Sequence, residues 1–247
     1  MNITAIFSTF NEMQSLPYVI ENYKQEGINF FVIDNYSTDG TWEYLQDNNI
    51  PSEQINTNGT FNLRLLQRAM ERNIKRINPD WAIMTGGDIF IHSEFPLIEM
   101  VKDLDYKGYT LINLNELKFC YTGEERLDKD PHDVYYYYQF NGIQPRLHSM
   151  KDFLGYNGDS IIRKNNNKNS ITASNICSFH YSNMKSKEQR IETLARRRLA
   201  WNSGLDKNWG NHFLKHEKQD WFWTKEEVED IRLTPYWNIY QAEQNRR

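Results

Sequence analysis

The sequence predicts an α/β fold: a mostly parallel central sheet flanked by helices, with an aromatic-rich helical tail at the C-terminus. Three observations predict it. Short apolar, β-branched runs at Ile3–Thr9, 30–33 and 81–84 lack the alternation of half-exposed strands, as expected of strands buried on both faces. Helical segments separate them, and a βαβα order implies parallel strands with right-handed crossovers. Each run also ends in a polar cluster, and open α/β sheets bind ligands outside the carboxyl ends of their strands.

Composition narrows the class further. A chain of 247 residues with 39% hydrophobic and 25% charged residues can bury a substantial core, so one domain is expected at 1–200 with an extension, 201–247, packed on it. The net charge of -4 argues against a nucleic-acid binder, which carries a basic excess. Aromatic residues, at 14%, suit stacking on sugars and bases as well as core packing. Two cysteines, Cys120 and Cys177, make no disulfide framework or zinc spacing and read as reduced thiols. The start, MNITAIFSTFNE, has no basic region of a signal peptide, and no run nears the roughly 20 apolar residues of a membrane span. A soluble, cytoplasmic protein without a transmembrane segment is the expectation, with peripheral membrane contact open to it.

In chain order, Ile3–Thr9 is the first strand and 10–14 a polar turn. Ser15 caps a helix through Pro17, Val19, Ile20 and Tyr23, and Gly27 stops it. Residues 30–33 form the second strand, ending at Asp34. A helix is expected at 41–46 and a short third strand at 52–56. From 61 to 77 one helical face carries Phe61, Leu65, Ala69, Met70, Ile74 and Ile77. Arg64, Arg68 and Arg72 form a solvated stripe, with Arg64 near enough to the helix start to reach a phosphate. WAIMTGGDIF (81–90) then runs from a strand into Gly86, Gly87 and Asp88. A strand is expected at 109–114, an acidic irregular stretch at 115–133, a strand at 134–140, a surface loop at 157–170 and a late strand at 171–181 ending near His180. Ser186 with Gln189, and Thr224 with Glu227, read as capping boxes, the first for a helix through Ile191, Leu194 and Leu199. Trp201, Trp209, Trp221, Trp223 and Trp237 mark the tail.

The strand ends carry the chemistry. FSTFNE places Thr9, Asn11 and Glu12 after the first strand; VIDNYSTDGT places Asp34, Asn35, Ser37 and Asp39 after the second. Two polar clusters on neighbouring parallel strands share one edge and form a crevice whose acids and amides can hydrogen-bond a ribose and a base. Each segment alone is also ordinary turn chemistry; Asp88, on a third strand of the same sheet, favours the joint reading.

The run FSTFNEMQSLPYVIENYKQEGINFFVIDNYSTDGTWEYLQ resembles the start of a family 2-like glycosyltransferase of the Rossmann-like GT-A fold, in a branch with an Asn-Glu pair after the first strand and an Asp-Asn-x-Ser-Thr-Asp-Gly-Thr segment. WAIMTGGDIF sits where that family carries its Asp-x-Asp metal motif, and FHYSNMKSKEQ resembles its late His-Tyr segment. The resemblance is strong over 3–95, thin over 96–175 and moderate over 176–200. It implies that Thr9, Asn11, Glu12, Asp34 and Asn35 line a nucleotide pocket, with Asp39 at its edge and Arg64 nearby. It further implies that Asp88 and His180 hold a divalent ion, Mn²⁺ or Mg²⁺, against the donor's diphosphate. The implied activity is sugar transfer from a nucleotide donor, expected to be UDP-linked, to a hydroxyl of a glycan or lipid-linked acceptor, with inversion, in surface polysaccharide or glycoconjugate assembly.

Gly86 departs from the pattern, standing where the first motif acid belongs, and Ile89 stands where a Glu follows. Diphosphate and water can supply most ligands of such a cation, so one carboxylate and a histidine can suffice. The ion would stabilise charge developing on the leaving diphosphate, aided by Arg64, Arg146 or the run from Arg196 to Arg198. A base must accept the acceptor's proton; Glu124, Glu125 and Asp133 are candidates by position alone, each reads first as a solvated loop acid, and none is singled out as the base. Two rivals remain. One is a relative that binds nucleotide or glycan without turnover. The other is a nucleotidylyltransferase, which would want a glycine-rich, basic phosphate loop that FSTFNE lacks.

Overall fold

The computed structural model describes residues 1–120, 136–157, 160–164, 169–183, 191–193, 195, 196, 199 and 229–246. Its first half alternates strands and helices: β1 (Ile3–Thr9), α1 (Leu16–Gln25), β2 (Asn29–Asp34), α2 (Thr41–Asp47), β3 (Ser52–Gln54), α3 (Leu63–Ile77) and β4 (Trp81–Gly86). There follow β5 (Ile89–Ser93), α4 (Leu97–Tyr106), β6 (Leu111–Cys120), β7 (Tyr136–Ser149), β8 (Phe153–Asn157), β9 (Ser160–Arg163), β10 (Ser170–Asn183), β11 (Glu229–Asp230) and α5 (Tyr236–Gln244).

The fold is α/β, with a large curled sheet between helices. Among the described residues the main sheet runs β3-β2-β1-β4-β7-β6-β10-β5, with β11 beside β7. Strands β3, β2, β1 and β4 are mutually parallel, as are β6 and β10; β7 and β5 run against their neighbours. Only Gly87 and Asp88 join β4 to β5, although β7, β6 and β10 lie between those two strands along the sheet. The sheet must therefore curl back on itself, and the curl brings β6 and β10 around to the carboxyl end of β4.

Both faces of the parallel half are apolar because both are covered. Ala5, Phe7, Trp81 and Ile83 pack with Leu16, Val19, Ile20 and Tyr23 of α1, whereas Ile6, Ile33, Ala82 and Met84 meet Leu66, Ala69, Met70 and Ile74 of α3. Each such fully buried aliphatic side chain stabilises the fold by roughly 1.5–3 kcal/mol. Tyr240 of α5 lies against His92 and Phe179, with ring centroids 5.7 and 5.9 Å apart, so the C-terminal helix caps the β5–β10 edge. No helix among the described residues is long and apolar enough to cross a membrane.

Four expectations change. The buried face of α3 is set by Leu66, with Ala69, Met70, Asn73 and Ile74, and Leu65 is 39% exposed. The exposed arginines of α3 are partnered: Arg72 with Glu53, and Arg76 over the ring of the buried Phe31 at 5.0 Å. Residues 115–120 are the second half of β6, and 160–163 form β9, which pairs with β8 as a hairpin. Ser15 occupies the cap position of α1 without capping it through its side chain. Its hydroxyl instead lies 3.3 Å from both Glu12 Oε2 and the Gly87 carbonyl. Gly27 does adopt the left-handed conformation expected of a helix stop, with φ +66°. Both capping boxes and the four tryptophans from Trp201 to Trp223 lie outside the described residues.

Candidate active site

The carboxyl ends of β1 and β2 meet in register, Thr9 opposite Asp34. Asp34 is fully buried, and its carboxylate accepts from the Ser37 N–H at 3.1 Å, the Ser37 hydroxyl and Gln54 Nε2 at 2.9 Å. This folds the DNYS turn tightly over the strand end. Asn11 takes φ +51°, a conformation asparagine tolerates better than most residues. Its amide joins the first turn to the second: Oδ1 accepts from the Thr38 N–H at 2.8 Å, and Nδ2 donates to Glu192 at 2.9 Å. Asp39 accepts from the N–H groups of Met13 and Thr41 at 3.0 and 3.1 Å, fixing the entry of α2.

Arg196 closes this crevice. It is buried, with its guanidinium 3.2 Å from the centroid of the Phe10 ring. It donates to the carbonyls of Asn35 and Thr60, both at 3.3 Å, and of Gly59 at 3.4 Å. The single proton of the Thr57 hydroxyl goes to the Thr60 carbonyl, so Thr57 accepts from Asn35 Nδ2 at 2.8 Å and the Asn35 oxygen faces Arg196 at 3.1 Å. Burial lowers the Arg196 pKa to about 10 against the opposing pull of Glu192 and Asp34, and it stays charged at neutral pH.

A second group gathers at the end of β4. Asp88 is buried, 8% exposed, and its carbonyl accepts from the Tyr181 N–H at 2.9 Å, which pins the β4–β5 connection to β10. Its Oδ2 lies 3.3 Å from His180 Nε2. The opposite ring nitrogen, Nδ1, lies 3.1 Å from Glu116 Oε1, and Arg146 of β7 donates to Glu116 Oε2. Carboxylate, imidazole, carboxylate and guanidinium thus form one chain across the β4–β5 connection, β10, β6 and β7. Burial would raise the Glu116 carboxyl, but His180 and Arg146 outweigh it and hold its pKa down at about 2. For His180, burial pushes down, yet the two carboxylates more than offset it and the pKa lies above the usual value.

The two glycines explain the crowding. A Cβ on Gly86 would come within 2.7 Å of Asp88 Oδ1, so the Asp88 carboxylate folds back over the space that a first motif acid would enter. A Cβ on Gly87 would meet Thr9 Oγ1 at 2.8 Å and Thr9 Cβ at 2.9 Å. Thr9 is shut in behind Gly87, its hydroxyl buried without a hydrogen-bond partner among the described residues.

The curl therefore brings Asp88 and His180 together, and the parallel half brings together Thr9, Asn11, Glu12, Asp34, Asn35 and Asp39. Glu12 is buried in the turn before α1, linked through Ser15 to the Gly87 carbonyl. Arg64 is exposed on the first turn of α3. Glu124, Glu125, Asp133 and Arg198 lie outside the described residues. Glu116 and Arg146 were not expected as a pair. The apolar phase of LINLNELKFC marks Glu116 as a strand residue, but a bulge against β7 between Asn115 and Leu117 breaks its alternation. Among the described residues no three His, Cys, Asp or Glu side chains form a ready-made metal cage. The donor pair, one carboxylate oxygen and one imidazole nitrogen, fits a cation that draws its other ligands from a phosphorylated substrate and water.

No protein-family model matches the chain, and no curated protein matches it. Among solved structures it is similar to S. aureus TarS, at 10% identity and a TM-score of 0.48, over 92% of this chain and 44% of that one. Similarity also extends to TarS 1-349, alone (13% identity, TM-score 0.41, 60% of this chain and 47% of that one) and in complex with UDP-GlcNAc (13%, 0.41, 60% and 45%). The chain spans a little under half the length of these structures.

Proposed function

We propose that this protein is a glycosyltransferase that moves a sugar from a nucleotide-diphosphate donor, UDP-linked by the resemblance, to an acceptor hydroxyl of a glycan or lipid-linked substrate. The observation that carries the reading is the pairing of Asp88 with His180 at 3.3 Å, beside the crevice at the ends of β1 and β2. Asp34 and Asn35 border the nucleoside end of that crevice, with Arg196 and Phe10 as its wall. Asp88 and His180 would hold Mn²⁺ or Mg²⁺ at the diphosphate end, where the ion supplies Lewis-acid stabilisation of the departing diphosphate. Asp88 is buried and His180 half-buried, which limits competing water and strengthens their pull on a cation. The base that takes the acceptor's proton, and inversion at the anomeric carbon, rest on the resemblance alone.

The test is release of UDP from a panel of UDP-sugars in Mn²⁺, with and without EDTA. Metal-dependent release from at least one donor is expected. Metal-dependent UDP binding with no release from any donor would favour the rival reading, a relative that binds nucleotide without turnover, and Gly86 is the feature that favours it.

A further inference from the structure

Glu116 lies opposite Ser178 on the neighbouring parallel strand, and His180 stands two residues further along β10, on the same side of the sheet. The Glu116 carboxylate is buried and held from two directions: Arg146 donates to Oε2, and His180 Nδ1 lies 3.1 Å from Oε1. The remaining ring nitrogen, Nε2, faces Asp88 at 3.3 Å. An imidazole gripped at one nitrogen by a carboxylate has its ring plane, and the direction of its other nitrogen, fixed.

We propose that Glu116, clamped by Arg146, is a positioning residue that aims His180 Nε2 at the cation position beside Asp88. This assignment rests on the metal-assisted reading above. It also gives Arg146 a role away from the diphosphate, because its guanidinium is committed to Glu116. A purely structural ion pair would behave differently. Exchanging a buried pair for apolar residues of similar volume is often neutral for stability, whereas removing one partner strands a buried charge.

The Glu116→Leu/Arg146→Met double variant removes both charges together; Glu116→Gln keeps a neutral acceptor for the His180 Nδ1–H. Each is titrated with Mn²⁺ at saturating UDP, and the bound Mn²⁺ is examined by electron spin-echo spectroscopy for imidazole-nitrogen modulation. The double variant is expected to melt cooperatively, to bind Mn²⁺ roughly 10–100-fold more weakly, and to lose the modulation, with Glu116→Gln in between. Wild-type Mn²⁺ affinity and modulation in the double variant would overturn the proposal while leaving the metal site standing. Should the double variant fail to fold, Glu116→Gln decides, and unchanged affinity there overturns it. Absence of the modulation in the wild-type protein would bring down the metal reading itself, and this proposal with it.

Discussion

At the residue scale, the two adjacent glycines carry different constraints, and substitution separates them. The nearest atom to a Cβ on Gly86 is the end of the Asp88 side chain, which can swing away. Gly86→Ala should therefore leave the melting temperature almost unchanged while displacing the Asp88 carboxylate and weakening Mn²⁺-stimulated UDP binding. A Cβ on Gly87 meets Thr9 close to its backbone, which has nowhere to go. Gly87→Ala should cost roughly 1–3 kcal/mol by overpacking, read from urea denaturation. Gly86→Asp is informative for the same reason. It restores the acid expected from the resemblance, but into space that Asp88 already fills, so no gain in metal affinity is expected.

At the element scale, the β8–β9 hairpin is fastened to the sheet by buried polar groups far from the crevice. Arg163 donates to Asp152 at 3.1 Å, to His148 Nδ1 at 2.8 Å and to the Thr110 carbonyl; His148 Nε2 lies 3.2 Å from the Pro145 carbonyl. An arginine can only donate, so Nδ1 accepts and the proton of a neutral ring sits on Nε2. Burial, reinforced by the Arg163 charge, pushes the His148 pKa down from 6.5 to about 3. Between those values the unfolded chain binds a proton that the folded chain refuses. Stability from this group is complete above the unfolded value and falls with acidification, by up to about 1.4 kcal/mol per pH unit. Urea melts between pH 6.5 and 4.5 should show that slope, and His148→Asn should flatten it. Glu116, whose pKa is depressed from 4.5, adds to the slope only toward the lower end of that window, and His148→Asn leaves that part in place. An unchanged slope in the variant would mean that His148 is not the group responsible. None of this network was legible in advance. Residues 157–170 look like a polar loop because Asn and Lys dominate them, and the pairing that makes 160–163 a strand depends on β8.

At the scale of the whole molecule, the parallel half was legible because every signal there is local. Apolar runs covered on both faces, helices between them and turn residues after them fix β1, β2 and β4 and the crevice at their ends. Asp88 and His180 were expected as site residues from the resemblance, and their meeting in space depends on the curl. That curl follows from β7 inserting antiparallel between β4 and β6, a long-range pairing that leaves no local pattern. Glu116 was hidden for the same reason: its partner comes from β10, 64 residues later. On the proposed function, this curl builds a cation and diphosphate site around Asp88. Calorimetric UDP affinity, measured with and without Mn²⁺ in the wild-type protein and in Asp88→Ala, tests it most directly. The expected result is that Mn²⁺ tightens UDP binding at least roughly tenfold in the wild type and not at all in the folded variant. An equal Mn²⁺ enhancement in both proteins would contradict it.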